Sequence, residues 1–413
     1  MSAASTRAQL ILHVGAPKCG SSALQSALSM TPDLVDTTGR RLRYSAFWQR
    51  RSRGHVLLGR DVSIAAQASA YGYVSWPNIR PGEKDAAIFP ALDGLRRTGL
   101  RKGYVPIASN EGWLSRPYAF ATNLERWGHP PVEVVAFLRP VVDWTNAAFW
   151  QWGIWNVPSL DAWLNRGNMP YRFAQDLKIW SQIPNVRLRI APALPDTVTR
   201  FAAWQGIGLP MPSGRNASSS PALVGLLLRH RHLRPSGHAA ATEFVVQRWC
   251  PPVPGRKLWS VMARHVHRLR PIMRGTWAGL QDLLSEADLA DFETDERWFQ
   301  ETPYHPEVRA GVSPLNDPEQ LAGLHGSLSE GLARLAEAEG TPCPVLPPCP
   351  LPGAEIAEWD KVLIAMLEAL VAGDARFRAT AWRENGLAGL RHRLAKVMAD
   401  GFEQAQLLVS KSR

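Results

Sequence analysis

Four stretches of the chain, 9–15, 105–109, 132–138 and 186–191, are short and mostly apolar, with glycine, proline or charge at their ends. Runs of this length predict buried strands. Between them apolar residues recur at helical spacing, so strand alternates with helix. That alternation predicts an α/β fold: a parallel sheet flanked by helices, with ligands beyond the carboxyl ends of the strands. Residues 31–104 read differently, with the arginine-rich piece RRLRYSAFWQRRSRGH and turns between Pro77 and Gly82, and they predict an insertion near an acceptor site. Residues 222–300 read as mainly helical, with SEADLADFETDERWF as a capped helix and closing segment. A helix from Asp317 to Glu339 leads into TPCPVLPPCPLPG, whose prolines forbid helix. From Ala354 to Val409 helical spacing returns without a chemical motif. The expected organisation is an α/β domain over 1–305, a helix and proline-rich linker over 306–352, and a C-terminal helical appendage over 353–413.

The segment from Leu10 to Leu28, LILHVGAPKCGSSALQSAL, carries the most chemistry. It predicts a strand, a tight loop from Gly15 to Ser22, and a helix beginning near Ser21. Gly15 and Gly20 let the backbone turn and approach a ligand, and a helix N-terminus suits an anion. In the nucleoside triphosphate loop G-x-x-x-x-G-K-[ST] the lysine follows the second glycine. Here Ser21 occupies that place and the lysine is Lys18, inside the loop, which argues against a standard ATPase, GTPase or P-loop kinase.

HVGAPKCGSSALQ resembles the 5′-phosphosulfate loop of sulfotransferases that use 3′-phosphoadenosine 5′-phosphosulfate (PAPS), whose core is commonly Lys-Thr-Gly-Thr-Thr; Cys19, Ser21 and Ser22 replace the threonines. VEVVAFLR, from Val132 to Arg139, followed by a helix opened by Pro140, resembles the family's 3′-phosphate motif. Arg139 matches its strand-end arginine. Ala147 stands where the family has serine, which leaves Arg139 with Thr145 or Asn146 for the phosphate. Weaker resemblances to the bacterial branch are VPIASNEGWL, like a strand and Ser-x-Glu turn, the helix and strand from Tyr171 through VRLRIAP, and NASSSPALVGLLL from Asn216.

The resemblance implies the P-loop-like sulfotransferase fold and transfer of a sulfuryl group to a hydroxyl of a carbohydrate or small metabolite. Lys18 would stabilise the leaving 5′-phosphate, held by the backbone of Cys19, Gly20, Ser21 and Ser22 and by the two serine hydroxyls. Arg139 and Asn146 would serve the rest of the nucleotide. The general base would be Glu111, after a predicted strand, or His55, in the insertion. His13, inside the first strand, reads as a core histidine. Trp144, Trp150, Trp152, Trp155 and Trp163 crowd one region and read mostly as core.

The formal net charge of +11, with 8 lysines among 47 basic residues, suits a polyanionic nucleotide or acidic glycan. The stretch RKLWSVMARHVHRLRPIMR from Arg256 reads as an amphipathic helix with a cationic side. No nucleic-acid-binding motif, membrane-length apolar run or signal peptide is evident, and the four cysteines lack metal spacing, which together predict a cytoplasmic enzyme without nucleic-acid or membrane partners and without a metal. A catalytically lost sulfotransferase-like protein that binds nucleotide is the alternative raised by Ala147.

Overall fold

The computed structural model describes residues 7–50, 53–167, 171–211 and 218–383. Seven strands form one sheet: β1 (Leu10–His13), β2 (Asp33–Val35), β3 (Arg41–Arg50), β4 (Arg53–Leu58), β5 (Val105–Ser109), β6 (Val132–Leu138) and β7 (Val186–Pro192). The order is β2-β3-β5-β1-β6-β7, with β4 also on β3. β3, β5, β1, β6 and β7 run parallel, whereas β2 and β4 pair antiparallel with successive parts of β3. The sheet is therefore mixed and mostly parallel, not parallel throughout.

β1 and β6 are buried along their whole length because helices cover both faces, which is why their sequences, His13 and Glu133 apart, are apolar without alternation. β3 is different. Over residues 41–44 exposed Arg41, buried Leu42, half-buried Arg43 and buried Tyr44 alternate, the period of a strand hidden inside an arginine-rich stretch. Residues 31–104 thus supply three strands of the main sheet, correcting the expectation of an insertion. The arginines serve structure: Arg43 pairs with Asp33 and lies 4.8 Å over the Tyr104 ring, and Arg41 donates to the carbonyls of Gly103 and Lys102.

Helices Pro221–Arg229, Ala241–Trp249, Pro318–Glu339 and Ile356–Arg383 enclose a second apolar core, including Leu223, Leu227, Leu328, Trp359, Leu363 and Leu367. Asp317 caps the third of these, as the sequence suggests. The fourth is no loose appendage. Buried Asp374 accepts from Arg248, Arg378 and the Trp249 indole, and Arg378 also donates to the Ala68 carbonyl. Asp360 holds Arg229 through two 2.7 Å bonds and His230 at 2.9 Å. The helical expectation beyond Arg383 falls on 384–413, outside the described residues, as do the first two residues of NASSSPALVGLLL; the rest of that segment forms the helix Pro221–Arg229, capped by Ser220.

Candidate functional site

The site grows from the carboxyl end of β1. The chain leaves His13, and Gly15 turns it at φ +77°, where an added Cβ would lie 2.4 Å from the Glu111 Cα. The turn after β5 is thereby pressed against the loop, held also by Asn110 N–H to the His13 carbonyl at 3.1 Å and Leu114 N–H to Val14 at 3.0 Å. Lys18 has φ +64°, a left-handed conformation costing a non-glycine residue about 1–2 kcal/mol. The Trp144 indole donates to the Pro17 carbonyl at 2.8 Å, and Cys19 N–H closes the loop onto Ala16 at 3.2 Å. At Gly20, φ +84°, an added Cβ would meet Thr197 at 2.6 Å. The helix Ser21–Met30 starts directly after it, and the N–H groups of Ser21 and Ser22 meet no acceptor among the described residues. Strand, left-handed loop and helix start make an anion cradle.

Charged side chains converge on this cradle. Lys18 is half-buried and donates from Nζ to Gln151 Oε1 at 3.2 Å. Desolvation draws its ammonium below the ordinary pKa, against the pull of Glu111 and with help from Arg139. Burial raises the Glu111 carboxyl, with Lys18 opposing. Arg139 follows β6, the neighbour of β1, and its carbonyl accepts from the Tyr171 hydroxyl. Its Nε is buried without a hydrogen-bond partner, as is Ser21 Oγ. Two orphaned donors beside a loop lysine are an expensive arrangement unless an anion completes them. Cys19 is fully buried and its thiol is pushed up to about 12, so it packs the loop as a neutral group and not as a thiolate.

Other residues singled out by sequence stand elsewhere or are engaged. His55 is exposed on β4, opposite Trp48. Asn146 uses both ends of its amide on another segment: Nδ2 donates to Leu258 O at 2.9 Å, and Oδ1 accepts from Ser260 N–H at 2.9 Å and Oγ at 3.0 Å. The Thr145 hydroxyl donates to Val141 O at 2.7 Å within its own helix. The two side chains expected to share an anion with Arg139 are thus both committed elsewhere in the fold. His13 is buried with Nδ1 2.7 Å from Ser109 Oγ. Trp144, Trp150, Trp155 and Trp163 are all buried. The cations after Arg256 also hold the fold: Arg264 pairs with Asp161, Arg270 with Glu301, and Arg256 with the 307–311 carbonyls.

Sequence reasoning missed the opposite wall. Gln151 lies in a π-helical turn, Phe149–Gly153, a local widening that is common at functional sites. Its carbonyl accepts from Arg234 at 3.0 Å, and Arg234 pairs with Glu243. No spacing links residues 18, 151, 234 and 243, and the run FWQW reads as an ordinary continuation of the helix opened by Pro140. Among the described residues no group of three His, Cys, Asp or Glu could hold a metal, and no helix is long and apolar enough to cross a membrane. No family model, curated protein or solved structure matches the chain.

Proposed function

We propose that this chain is a cytoplasmic sulfotransferase that moves the sulfuryl group of PAPS to a hydroxyl of a carbohydrate or other small metabolite. The observation that carries the reading is the partnerless, buried Arg139 Nε at the end of the strand beside the Lys18 loop. It supplies a second phosphate contact separate from the first, which a nucleotide with 5′ and 3′ phosphates needs.

In the proposed reaction the acceptor oxygen forms a bond to sulfur while the bond from sulfur to the 5′-phosphate oxygen breaks. The electron pair departs with that oxygen, where Lys18 and the N–H groups of Ser21 and Ser22 offset the growing charge. The acceptor proton goes to Glu111, whose raised pKa makes it a stronger base than an ordinary carboxylate. Glu111 is favoured over His55 because it packs against Gly15 of the loop.

Calorimetry with adenosine 3′,5′-bisphosphate and ATP, together with transfer of label from PAPS, tests the proposal. The bisphosphate should bind and ATP should not. Preference for ATP would favour a kinase and overturn the reading. Ala147 and the commitments of Thr145 and Asn146 favour a second reading, a nucleotide-binding protein that has lost catalysis; bisphosphate binding without transfer to any hydroxyl would select it.

A further inference from the structure

The wall facing the phosphate loop contains a buried carboxylate that the reaction above leaves unused. Glu243, in helix Ala241–Trp249, is 6% exposed, and one oxygen accepts from Arg234. Arg234 is fully buried and held through both terminal nitrogens, while its Nε has no partner. It lies 4.0 Å over the Trp155 ring and donates to Gln151 O at 3.0 Å and Gly237 O at 3.3 Å. The other Glu243 oxygen, Oε2, is buried without any partner. Gln151 receives Lys18 at 3.2 Å, so an unbroken series of contacts joins the loop lysine to this carboxylate.

Beside Glu243 stands an aromatic face. Phe244, the next residue, packs edge-on against Tyr71 and Tyr73 with centroids 5.1 and 6.0 Å away. Tyr73 reaches the loop itself, accepting from Ser22 Oγ at 3.5 Å. All three rings are half-exposed.

We propose that Glu243 and the Tyr71, Tyr73 and Phe244 rings form the acceptor subsite, with Oε2 accepting a hydroxyl of a neutral sugar ring that lies on the aromatic face. The proposal rests on the sulfotransferase reading and deepens it. A desolvated carboxylate oxygen demands a donor, and a sugar offers hydroxyls for it and an apolar C–H face for the rings. Charge narrows the class. Lys18 and Arg234 disfavour a cationic acceptor, while Glu243 and Glu111 disfavour an anionic one. Burial pushes the Glu243 carboxyl up to about 7, against the pull of Arg234 and Lys18, so its ability to accept grows as pH rises through neutrality.

The test is saturation-transfer NMR of p-nitrophenyl β-D-glucopyranoside on the full chain held with adenosine 3′,5′-bisphosphate. Glu243→Gln keeps an acceptor for Arg234 and removes the charge. It should weaken glucoside binding about tenfold or more, the worth of a hydrogen bond to a charged group, and abolish the change in glucoside affinity between pH 6 and 8. The bisphosphate Kd should stay within about twofold. Phe244→Leu, which leaves the ion pair intact, should weaken the glucoside alone and guards against a folding defect in the first variant. Wild-type glucoside affinity in Glu243→Gln, equal losses of glucoside and bisphosphate, or no glucoside binding to wild type would overturn the subsite. Failure of wild type to bind the bisphosphate would instead overturn the sulfotransferase reading.

Discussion

The two walls of the site are built by different means. The Lys18 wall, which we propose binds phosphate, comes almost entirely from one strand, loop and helix, and its shape is set by backbone: two left-handed glycines, a left-handed lysine and a helix start. The facing wall draws residues 71–73, 151, 234 and 243 from separate segments and fixes them with buried ion pairs and a second core. Arg248 donates to the carbonyls of Ser69 and Ala70 at 3.1 and 2.9 Å, so its bond to Asp374 ties the Tyr71 turn to the C-terminal helix. One wall depends on local conformation and the other on long-range packing. Substitutions in the loop should damage chemistry without stability, and those that cut the packing behind the facing wall should lose stability before chemistry.

The largest effect should come from ending the chain at residue 352. The helix Ile356–Arg383 buries Trp359, Leu363, Met366, Leu367 and Leu370. At ~1.5–3 kcal/mol each their loss rivals the whole stability of a domain, ~5–15 kcal/mol. The truncated chain should be insoluble or lack near-ultraviolet circular dichroism. A soluble fragment that binds adenosine 3′,5′-bisphosphate would break the comparison, because the second core would then be dispensable.

Asp374→Ala sharpens the same point with one residue. It strands Arg248 and Arg378 around a fully buried position, a change of ~3–5 kcal/mol. Urea unfolding should register that loss, and the variant protein that remains folded should still bind the bisphosphate. Loss of bisphosphate affinity in the folded fraction would mean that the loop, too, leans on the C-terminal helix.

Lys18→Ala should do the reverse. Charge stabilisation of this kind is worth ~3–4 kcal/mol, or about 100- to 1000-fold in turnover. The urea midpoint should move little, since Nζ makes one 3.2 Å bond to Gln151 and sits in a pocket that disfavours its charge. Turnover of labelled PAPS within tenfold of wild type would remove Lys18 from the leaving group.

This division also accounts for what the sequence discloses. Loop and strand ends were legible because local conformation is encoded locally: β5 and β6 begin and end where the apolar runs do, and the helix starts at Ser21. β3 was obscured by its arginines although its alternation was present. The pairing of Glu243 with Arg234 has no local signature, since each is an ordinary surface residue until tertiary packing buries it. Asn146 shows the converse limit, where a plausible position in a motif-like helix is spent on holding the segment at 258–260.

Acid separates the two walls by a smaller margin. His13 is fully buried in β1, and desolvation lowers its pKa from 6.5 to about 3. The folded state therefore binds this proton less well than the unfolded chain. Its contribution is complete above pH 6.5 and is lost as pH falls from there toward 3, at about 1.4 kcal/mol per pH unit. Asp360, on the second core, also has a lowered carboxyl: burial alone would raise it, but hydrogen bonds from Arg229 and His230 outweigh that. Its contribution begins to fall only near pH 3.8. At pH 5.5 wild type should thus lose about 1.4 kcal/mol more than His13→Asn, relative to pH 7.5, in urea unfolding. Hydrogen exchange at pH 5.5 should show amides of β1, β5 and β6 losing protection while those of Ile356–Arg383 keep theirs. If both sets open together, the two cores unfold as one unit, and the walls differ in how they are built but not in how they fail.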